Sequence, residues 1–293
     1  MKILVFGAGG QVGRELMRVP APDGTERIGL THGEVDISDA ASVARAVATH
    51  RPDTVINATA YTAVDAAEDD RDTAFAVNAD GARNVAVAAA GAGALLVHLS
   101  TDYVFNGRAT TPYLETAEID PESVYGASKA LGESHVREQI DRHVIVRTSW
   151  VFGHHGRNFV KTILRLLEDR DRLEIIDDQT GCPTEAADLA TALIAAAERA
   201  PKRNAFGTYH FCGLEPTNWH QFATEIARLK GQFRPVTTAI VPTTTAQYRQ
   251  KAKRPAYSVL DCGSISRKLS VEVPTWRAGL QRVVSHWMVS EEC

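Results

Sequence analysis

Cysteine is scarce in this chain. Its four residues, Cys182, Cys212, Cys262 and Cys293, lie far apart, with no C-x-x-C pair and no dense framework. A chain of 293 residues buries enough surface to hold a core without bridges, so reduced thiols are expected, with Cys293 an exposed, oxidisable one. Positive charge is not in excess either. Lys and Arg number 32 against 36 Asp and Glu, a net charge of −4, which argues against a nucleic-acid partner. Long apolar runs are missing: no window approaches about 18 apolar residues, so no membrane span is expected. The run from Ile3 to Phe6, after Met1 and Lys2, is too short for the core of a secretion signal. A cytoplasmic protein is expected. With 44% hydrophobic and 23% charged residues, collagen-like, coiled-coil and disordered classes are excluded. There is no obvious linker and no internal repeat.

Short apolar runs alternate with helical patterns through the first half of the chain. Strands are expected at 3–6, 54–57, 95–99 and 144–147, with a weaker one at 27–30. They are apolar on both faces, as strands of a covered parallel sheet must be. Helices are expected at 11–18, 40–50, 73–90 and 123–140. This alternation predicts an α/β fold with a Rossmann-type, doubly wound parallel sheet. The Ala-rich stretch 82–94 fits a helix packed closely on that sheet. Beyond Arg147 the pattern loosens, with helices expected at 157–168, 186–199 and 218–230 and Pro-containing loops at 181–183 and 241–255. The expected division is a dinucleotide-binding domain over 1–150, which also receives elements from about 180–212, and a smaller α/β region over 151–293 that mainly binds substrate.

Gly7, Gly10 and Gly13 form G-x-x-G-x-x-G directly after the first strand and at the start of a helix. Gly7 permits the tight turn, Gly10 lets backbone approach a pyrophosphate, and Gly13 lets the helix pack near the strand. The helix start then presents free N–H groups to the anion. A glycine-rich loop without a ligand is the bland alternative; the position after a strand and before a helix favours the cofactor. An acidic residue ending the second strand would favour NAD. Here that strand ends on Thr31 and His32, and Glu34 is the only acidic candidate. This leaves room for the 2′-phosphate of NADP without demanding it. Asp36 and Ile37 follow where an adenine edge can sit, with a loop or helix-capping role as the alternative for Asp36.

Tyr125 and Lys129 stand four apart in a predicted helix, which puts both on one face. An ammonium near a phenol favours phenolate and lowers its pKa, and a carbonyl accepting a hydride needs such a proton donor. The pair gains weight from its distance of about 25 residues after Ser100-Thr101-Asp102, at the end of the fourth strand, since ligands of open α/β sheets bind outside the carboxyl ends of the strands. Thr101 can hydrogen-bond the same carbonyl oxygen; a strand-end cap is its alternative role.

With these motifs in place, the chain resembles the extended short-chain dehydrogenase/reductases and, within them, the dTDP-4-dehydrorhamnose reductases. The resemblance covers nearly the whole chain. It includes Ala60-Tyr61-Thr62-Ala63-Val64-Asp65, Asn78, Ser100-Thr101-Asp102-Tyr103-Val104-Phe105 and Arg147-Thr148-Ser149-Trp150-Val151-Phe152-Gly153. It continues through Asn158-Phe159-Val160 and Asp178-Gln179-Thr180-Gly181-Cys182-Pro183-Thr184 to Arg254-Pro255 with Ser258, Leu260 and Asp261. It implies NADPH-dependent reduction of the C4 ketone of dTDP-4-dehydro-L-rhamnose, with NADH also usable. Gly10, Gln11 and Val12 would line the pyrophosphate, Asp36 and Ile37 the adenine, and Ala60, Tyr61 and Thr62 the nicotinamide side. Thr101, Tyr125 and Lys129 would be the catalytic trio, with Tyr125 and Lys129 also at the cofactor. Asp102 and Trp150 would touch the sugar nucleotide, residues 179–184 would border the cleft, and Arg254 would meet the substrate's diphosphate. A lone Trp is otherwise more often core.

Sister enzymes test the assignment. The 4,6-dehydratases place Asp-Glu after the Thr, whereas Thr101 is followed by Asp102 and Tyr103, which favours plain reduction. An epimerase, a reductase of another nucleotide 4-keto-sugar, and a regulator like the methionine adenosyltransferase β subunit stay open; intact Thr101, Tyr125 and Lys129 count against the regulator. Some relatives form metal-assisted dimers through surface glutamates. No such Mg2+ site can be placed here, His154-His155 is too isolated to be a metal site, and a homodimer stays open.

Overall fold

The structure is a computed structural model that describes residues 1–248 and 250–290; Cys293 lies outside them. Strands β1 (Lys2–Phe6), β2 (Glu26–Leu30), β3 (Thr54–Asn57), β4 (Leu95–Thr101) and β5 (His143–Thr148) join the strand Gly207–His210 in one six-stranded sheet. Every pairing is parallel, in the spatial order Gly207–His210, β5, β4, β3, β1, β2. Because side chains alternate along a strand, Ile3, Val5, Val97 and Val146 pack on one face with the helix Ala186–Arg203. Leu4, Phe6, Leu96 and Ile145 pack on the other with the helices Ala40–His50 and Gly81–Gly91. Both faces are covered, as the doubly apolar strands require. From β1 the chain passes to β2 on one side and returns to β3 on the other. That reversal opens a crevice at the carboxyl ends of β1 and β3.

All five expected strands form, the weak one at 27–30 included. The strand Gly207–His210 has no aliphatic residue to mark it; Tyr209 and His210 fill its buried positions. The helix expected at 73–90 is broken into Arg71–Phe75, a π-helical turn Ala76–Asp80, and Gly81–Gly91. The wider turn carries Asn78, whose side chain is used at the site described below.

Beyond the sheet, the helices Phe159–Asp169, Trp219–Lys230 and Trp276–Ser290 enclose a second core that includes Phe152, Val160, Ile163, Phe222, Ile226, Trp276 and Leu280. A parallel pair, Arg172–Ile176 with Ala239–Thr243, flanks it. Two-residue strands stitch this lobe together: Val151–Phe152 with Thr184–Glu185, and Thr180–Gly181 with Thr217–Asn218. Among the described residues no helix is long and apolar enough to cross a membrane, and Cys182, Cys212 and Cys262 are free.

Candidate active site

The glycine turn is built by contact as much as by conformation. Gly7 sits at φ +85°, in the left-handed region that favours glycine. Its N–H and that of Ala8 donate to the Leu30 carbonyl at 2.9 and 3.0 Å, tying the turn to the end of β2. A Cβ on Gly13 would stand 2.0 Å from the Gly7 carbonyl oxygen, so only glycine lets the helix Gln11–Leu16 start this close. The Gln11 side chain reaches across to the second lobe, donating to the Val151 carbonyl at 3.2 Å and accepting from Asn158 Nδ2 at 2.8 Å. Val12 is buried behind it.

The crevice beyond the turn is a cavity of about 610 Å³ whose walls include Gly7, Gly10, Thr31, Asp36, Ile37 and Tyr61. Asp36 is exposed and accepts from the Ser38 N–H and hydroxyl at 2.9 and 2.8 Å, which holds its carboxyl below the usual range. The helix cap is Asp39, not Asp36. Ile37 is buried, and Asn84 Nδ2 holds its carbonyl at 3.0 Å. The Glu34 carboxylate is committed locally: it accepts from the Thr31 N–H and hydroxyl at 2.8 and 2.7 Å.

A second cavity, of about 590 Å³, shares Gly10 and the run Ala58, Thr59 and Ala60 with the first. Thr62, Thr101, Asp102, Tyr125, Lys129 and Trp150 line it, with Gln11 and Val12. The helix Val124–Gln139, capped by Ser123, places Tyr125 and Lys129 one turn apart, both buried. Burial pushes the Tyr125 phenol up to about 12, against a hydrogen bond with Thr101 that lowers it. Burial also lowers the Lys129 ammonium to about 8, opposed by Glu133. Lys129 Nζ donates to the Leu99 carbonyl at 2.6 Å. The expected lowering of the Tyr125 pKa by Lys129 is therefore not found: the ammonium is turned to a backbone carbonyl, and desolvation decides the phenol's state. The phenol is fully protonated at neutral pH, the form a proton donor needs. Thr101 Oγ1 donates to Asp102 Oδ1 at 3.0 Å and accepts from the Tyr103 N–H at 3.2 Å. Asp102 is buried, which raises its carboxyl to about 6 although Ser258 and Thr101 lower it, and its Oδ2 has no hydrogen-bond partner of normal geometry.

Two networks hold this corner in place. Glu133 Oε1 accepts from Ser100 Oγ at 2.6 Å and Arg147 Nε at 2.9 Å, and its Oε2 accepts from Arg147 Nη2 at 2.7 Å. This fully buried ion pair ties the helix Val124–Gln139 to β4 and β5. Asn78 bonds both main-chain groups of Tyr61, at 2.8 and 3.1 Å, and donates to Ser128 Oγ at 3.0 Å; Ser128 in turn donates to the Tyr125 carbonyl. The 60–62 turn and the Tyr125 helix are thus fixed to each other.

On the far side of the cavity, Trp150 holds φ +47° and its ring stacks on Trp219, centroids 3.6 Å apart. Trp219 Nε1 donates to Gln179 Oε1 at 3.2 Å. Arg254 lies outside the wall of this cavity. It forms a two-pronged ion pair with Asp65, at 2.9 and 2.7 Å, which holds that carboxyl at about 2, and it borders a smaller pocket of about 170 Å³ that shares Trp219.

Comparison with known proteins follows this geometry. Residues 1–289 match the family described as the RmlD substrate binding domain. The chain is 42% identical over 286 residues to the dTDP-4-dehydrorhamnose reductase of Burkholderia thailandensis, covering 94% of this chain and 96% of that one. It is 42% identical over 280 residues to the spore coat polysaccharide biosynthesis protein SpsK of Bacillus subtilis, covering 96% and 95%. The solved dTDP-4-dehydrorhamnose reductase of Bacillus anthracis, in complex with NADP, superposes with a TM-score of 0.90 at 35% identity over 97% of this chain and 99% of that one. The chain belongs to the dTDP-4-dehydrorhamnose reductase family.

In this family member the residues expected from sequence fall into three places, apart from Gly13, which packs against the Gly7 carbonyl and lines neither large cavity. Thr101, Asp102, Tyr125, Lys129, Trp150, Gly10, Gln11, Val12, Ala60 and Thr62 share one cavity; Gly7, Asp36, Ile37 and Tyr61 line the adjoining one; Arg254 stands apart with Asp65. Sequence reasoning missed Trp219, Arg157, Ser149 and Thr148 in the main cavity. Thr148 and Ser149 stood inside a quoted motif. Trp219 opens a correctly expected helix, but nothing in a helical period distinguishes a residue that faces a cleft from one that faces a core. Among the described residues no cluster of three or more His, Cys, Asp or Glu is arranged to hold a metal ion.

Proposed function

We propose that this reductase reduces the C4 ketone of dTDP-4-dehydro-L-rhamnose to dTDP-L-rhamnose with NADPH in the cytoplasm. In this reading residues 1–150 bind the cofactor and 151–293 mainly the sugar nucleotide. The observation that carries it is a buried Tyr125 that shares a cavity with Thr101 and Lys129, and that cavity continues into the crevice over the glycine turn.

The residues fit a dinucleotide: the two cavities meet at Gly10 and Ala58–60, and the Gly7–Gly13 contact brings backbone N–H groups to that junction. Gly7, Gly10, Gln11, Val12 and Gly13 would hold its diphosphate, Asp36 and Ile37 its adenine, Ala60, Tyr61 and Thr62 its nicotinamide side, and Lys129 a ribose. NADPH bound there supplies a hydride to C4. Tyr125 gives its proton to the C4 oxygen as charge develops on it, contributing about 10²–10⁴-fold. Thr101 hydrogen-bonds the same oxygen, and Lys129, by holding the ribose, keeps the nicotinamide in place beside Tyr125. Asp102 and Trp150 contact the sugar, Trp150 held in place by Trp219. Arg254 receives the sugar nucleotide's diphosphate beside Asp65. The Glu34 carboxylate is occupied by Thr31, so it does not compete with a 2′-phosphate.

The test is an assay of NADPH and NADH oxidation with several nucleotide 4-keto-sugars. Oxidation of NADPH with dTDP-4-dehydro-L-rhamnose is expected. No oxidation with that substrate, together with epimerisation of a nucleotide sugar, contradicts the proposal. A preference for NADH above about a hundredfold, about 2.7 kcal/mol in transition-state stabilisation, contradicts the cofactor assignment.

A further inference from the structure

The main cavity is poor in positive charge for the anions it is proposed to take. Of the residues lining it, Lys129 and Arg157 are the cations and Asp102 the one carboxylate. Lys129 is buried and bonded to the Leu99 carbonyl beside Tyr125. Arg157 is different in kind. It is exposed, and among the described residues its side chain has neither a hydrogen bond nor an ion pair. Its backbone, however, is well fixed. Gly156, at φ +69°, lies so close to Gln11 that an added Cβ would stand 3.6 Å from the Gln11 Cβ. On its other side, Asn158 donates to Gln11 Oε1 at 2.8 Å and to the Gly153 carbonyl at 2.9 Å, and caps the helix Phe159–Asp169 through the Lys161 N–H. An unpaired guanidinium is thus carried on a segment fastened at both ends to the glycine turn. Other cations stand near this segment: Arg14, Arg18 and Lys161 act on His155 against the Glu15 carboxylate, and Arg14 Nε is anchored to the Gly9 carbonyl at 3.1 Å. An unpaired guanidinium facing a phosphate offers charge-assisted, often two-pronged hydrogen bonds.

We propose that Arg157 binds the diphosphate of the dinucleotide cofactor, reaching it from the second lobe while the glycine turn holds it from the sheet. This rests on the proposal that the cavity takes a dinucleotide. A second diphosphate, that of the sugar nucleotide, has the same chemistry. Arg157 is assigned to the cofactor because its neighbours on both sides touch Gln11, whereas Arg254 stands with Asp65 and the 251–254 segment.

The experiment titrates NADPH, NADH and dTDP separately into the wild type, Arg157→Met and Arg157→Lys, without turnover. Arg157→Met is expected to weaken NADPH and NADH by the same factor, about 10- to 100-fold, the range of a hydrogen bond to a charged group. Arg157→Lys should fall between, and dTDP should bind as before. Loss of dTDP affinity with NADPH unchanged assigns Arg157 to the sugar nucleotide and overturns the proposal. Unchanged binding of all three overturns it, as does equal weakening of all three. A loss for NADPH but not for NADH also overturns it, since the contact would then be to the 2′-phosphate. Failure of the wild type to bind either dinucleotide would instead remove the underlying functional proposal.

Discussion

The two ends of the cleft are made differently. At the Tyr125 end the working groups are side chains taken out of water: Thr101, Asp102, Tyr125 and Lys129 are all buried, and the last three have shifted pKa values. At the Gly10 end the surface is mostly backbone, open to solvent, and its carboxylates, Glu34 and Asp36, are spent on local turns. In the proposed function, desolvation tunes proton transfer at one end, while close backbone approach makes room for a phosphate at the other. Substitutions at the first should change the chemical step, and those at the second should change binding and folding.

Lys129→Met should have the largest effect because it belongs to both ends. Loss of the ribose contact should misplace the nicotinamide beside Tyr125 and cost kcat about 10²-fold or more, and it should also raise the Kd for NADPH. Steady-state rates and NADPH fluorescence titration together check this; a full rate with weakened binding would move Lys129 to the binding end alone.

Gly13→Ala strikes the backbone end. The Gly7 oxygen stands 2.0 Å from the position of the new Cβ, so the turn must open, at a cost of about 2–4 kcal/mol in stability. Thermal unfolding should show it, and NADPH binding should weaken. A normal melting temperature with normal NADPH affinity would break the comparison.

Asp102 tests the dry end through pH. Its carboxyl is raised from 3.8 to about 6 by burial. A carboxyl with a raised folded pKa binds its proton more tightly in the folded state. It therefore costs stability increasingly as pH rises from about 3.8 through 6, and in full above that. Asp102→Asn should be more stable than wild type near pH 7.5 by about 1–3 kcal/mol, and the gain should vanish toward pH 4. Chemical denaturation at several pH values measures it, and a pH-independent difference would mean that Asp102 is solvated.

The smallest effect is expected from Trp219→Ala. It frees Trp150 from a stacked partner worth about 0.5–1.5 kcal/mol, so the KM for the nucleotide sugar should rise about 2- to 10-fold. NADPH affinity should stay unchanged. A selective loss of NADPH binding would place this aromatic pair at the cofactor.

Legibility in sequence follows the same division. The sheet could be read in the main because β1, β3, β4 and β5 are apolar on both faces, and the turn because each of its glycines has one steric task. Tyr125 and Lys129 could be read because a helix brings residues four apart together. The far side of the main cavity was legible only through the family resemblance, which pointed to Trp150 and residues 179–184 but not to Trp219, and the reason is physical. Trp150, Gly181 and Trp219 meet through two-residue strands and a ring stack, which leave no periodic trace. The strand Gly207–His210 was missed because His210 is buried beside Arg147, at 3.3 Å, in place of an aliphatic residue. The direction of the Tyr125 pKa shift was also hidden. Residue types suggested an ammonium acting on a phenol, but the Leu99 carbonyl takes that ammonium.

The most direct test is Tyr125→Phe, measured for kcat with the sugar nucleotide and for Kd with NADPH. The substitution removes one hydroxyl from the dry end and leaves the backbone end untouched. A fall in kcat of about 10²–10⁴-fold with NADPH affinity unchanged is expected. A kcat close to that of the wild type would take Tyr125 out of the proton transfer and contradict the proposed reduction mechanism.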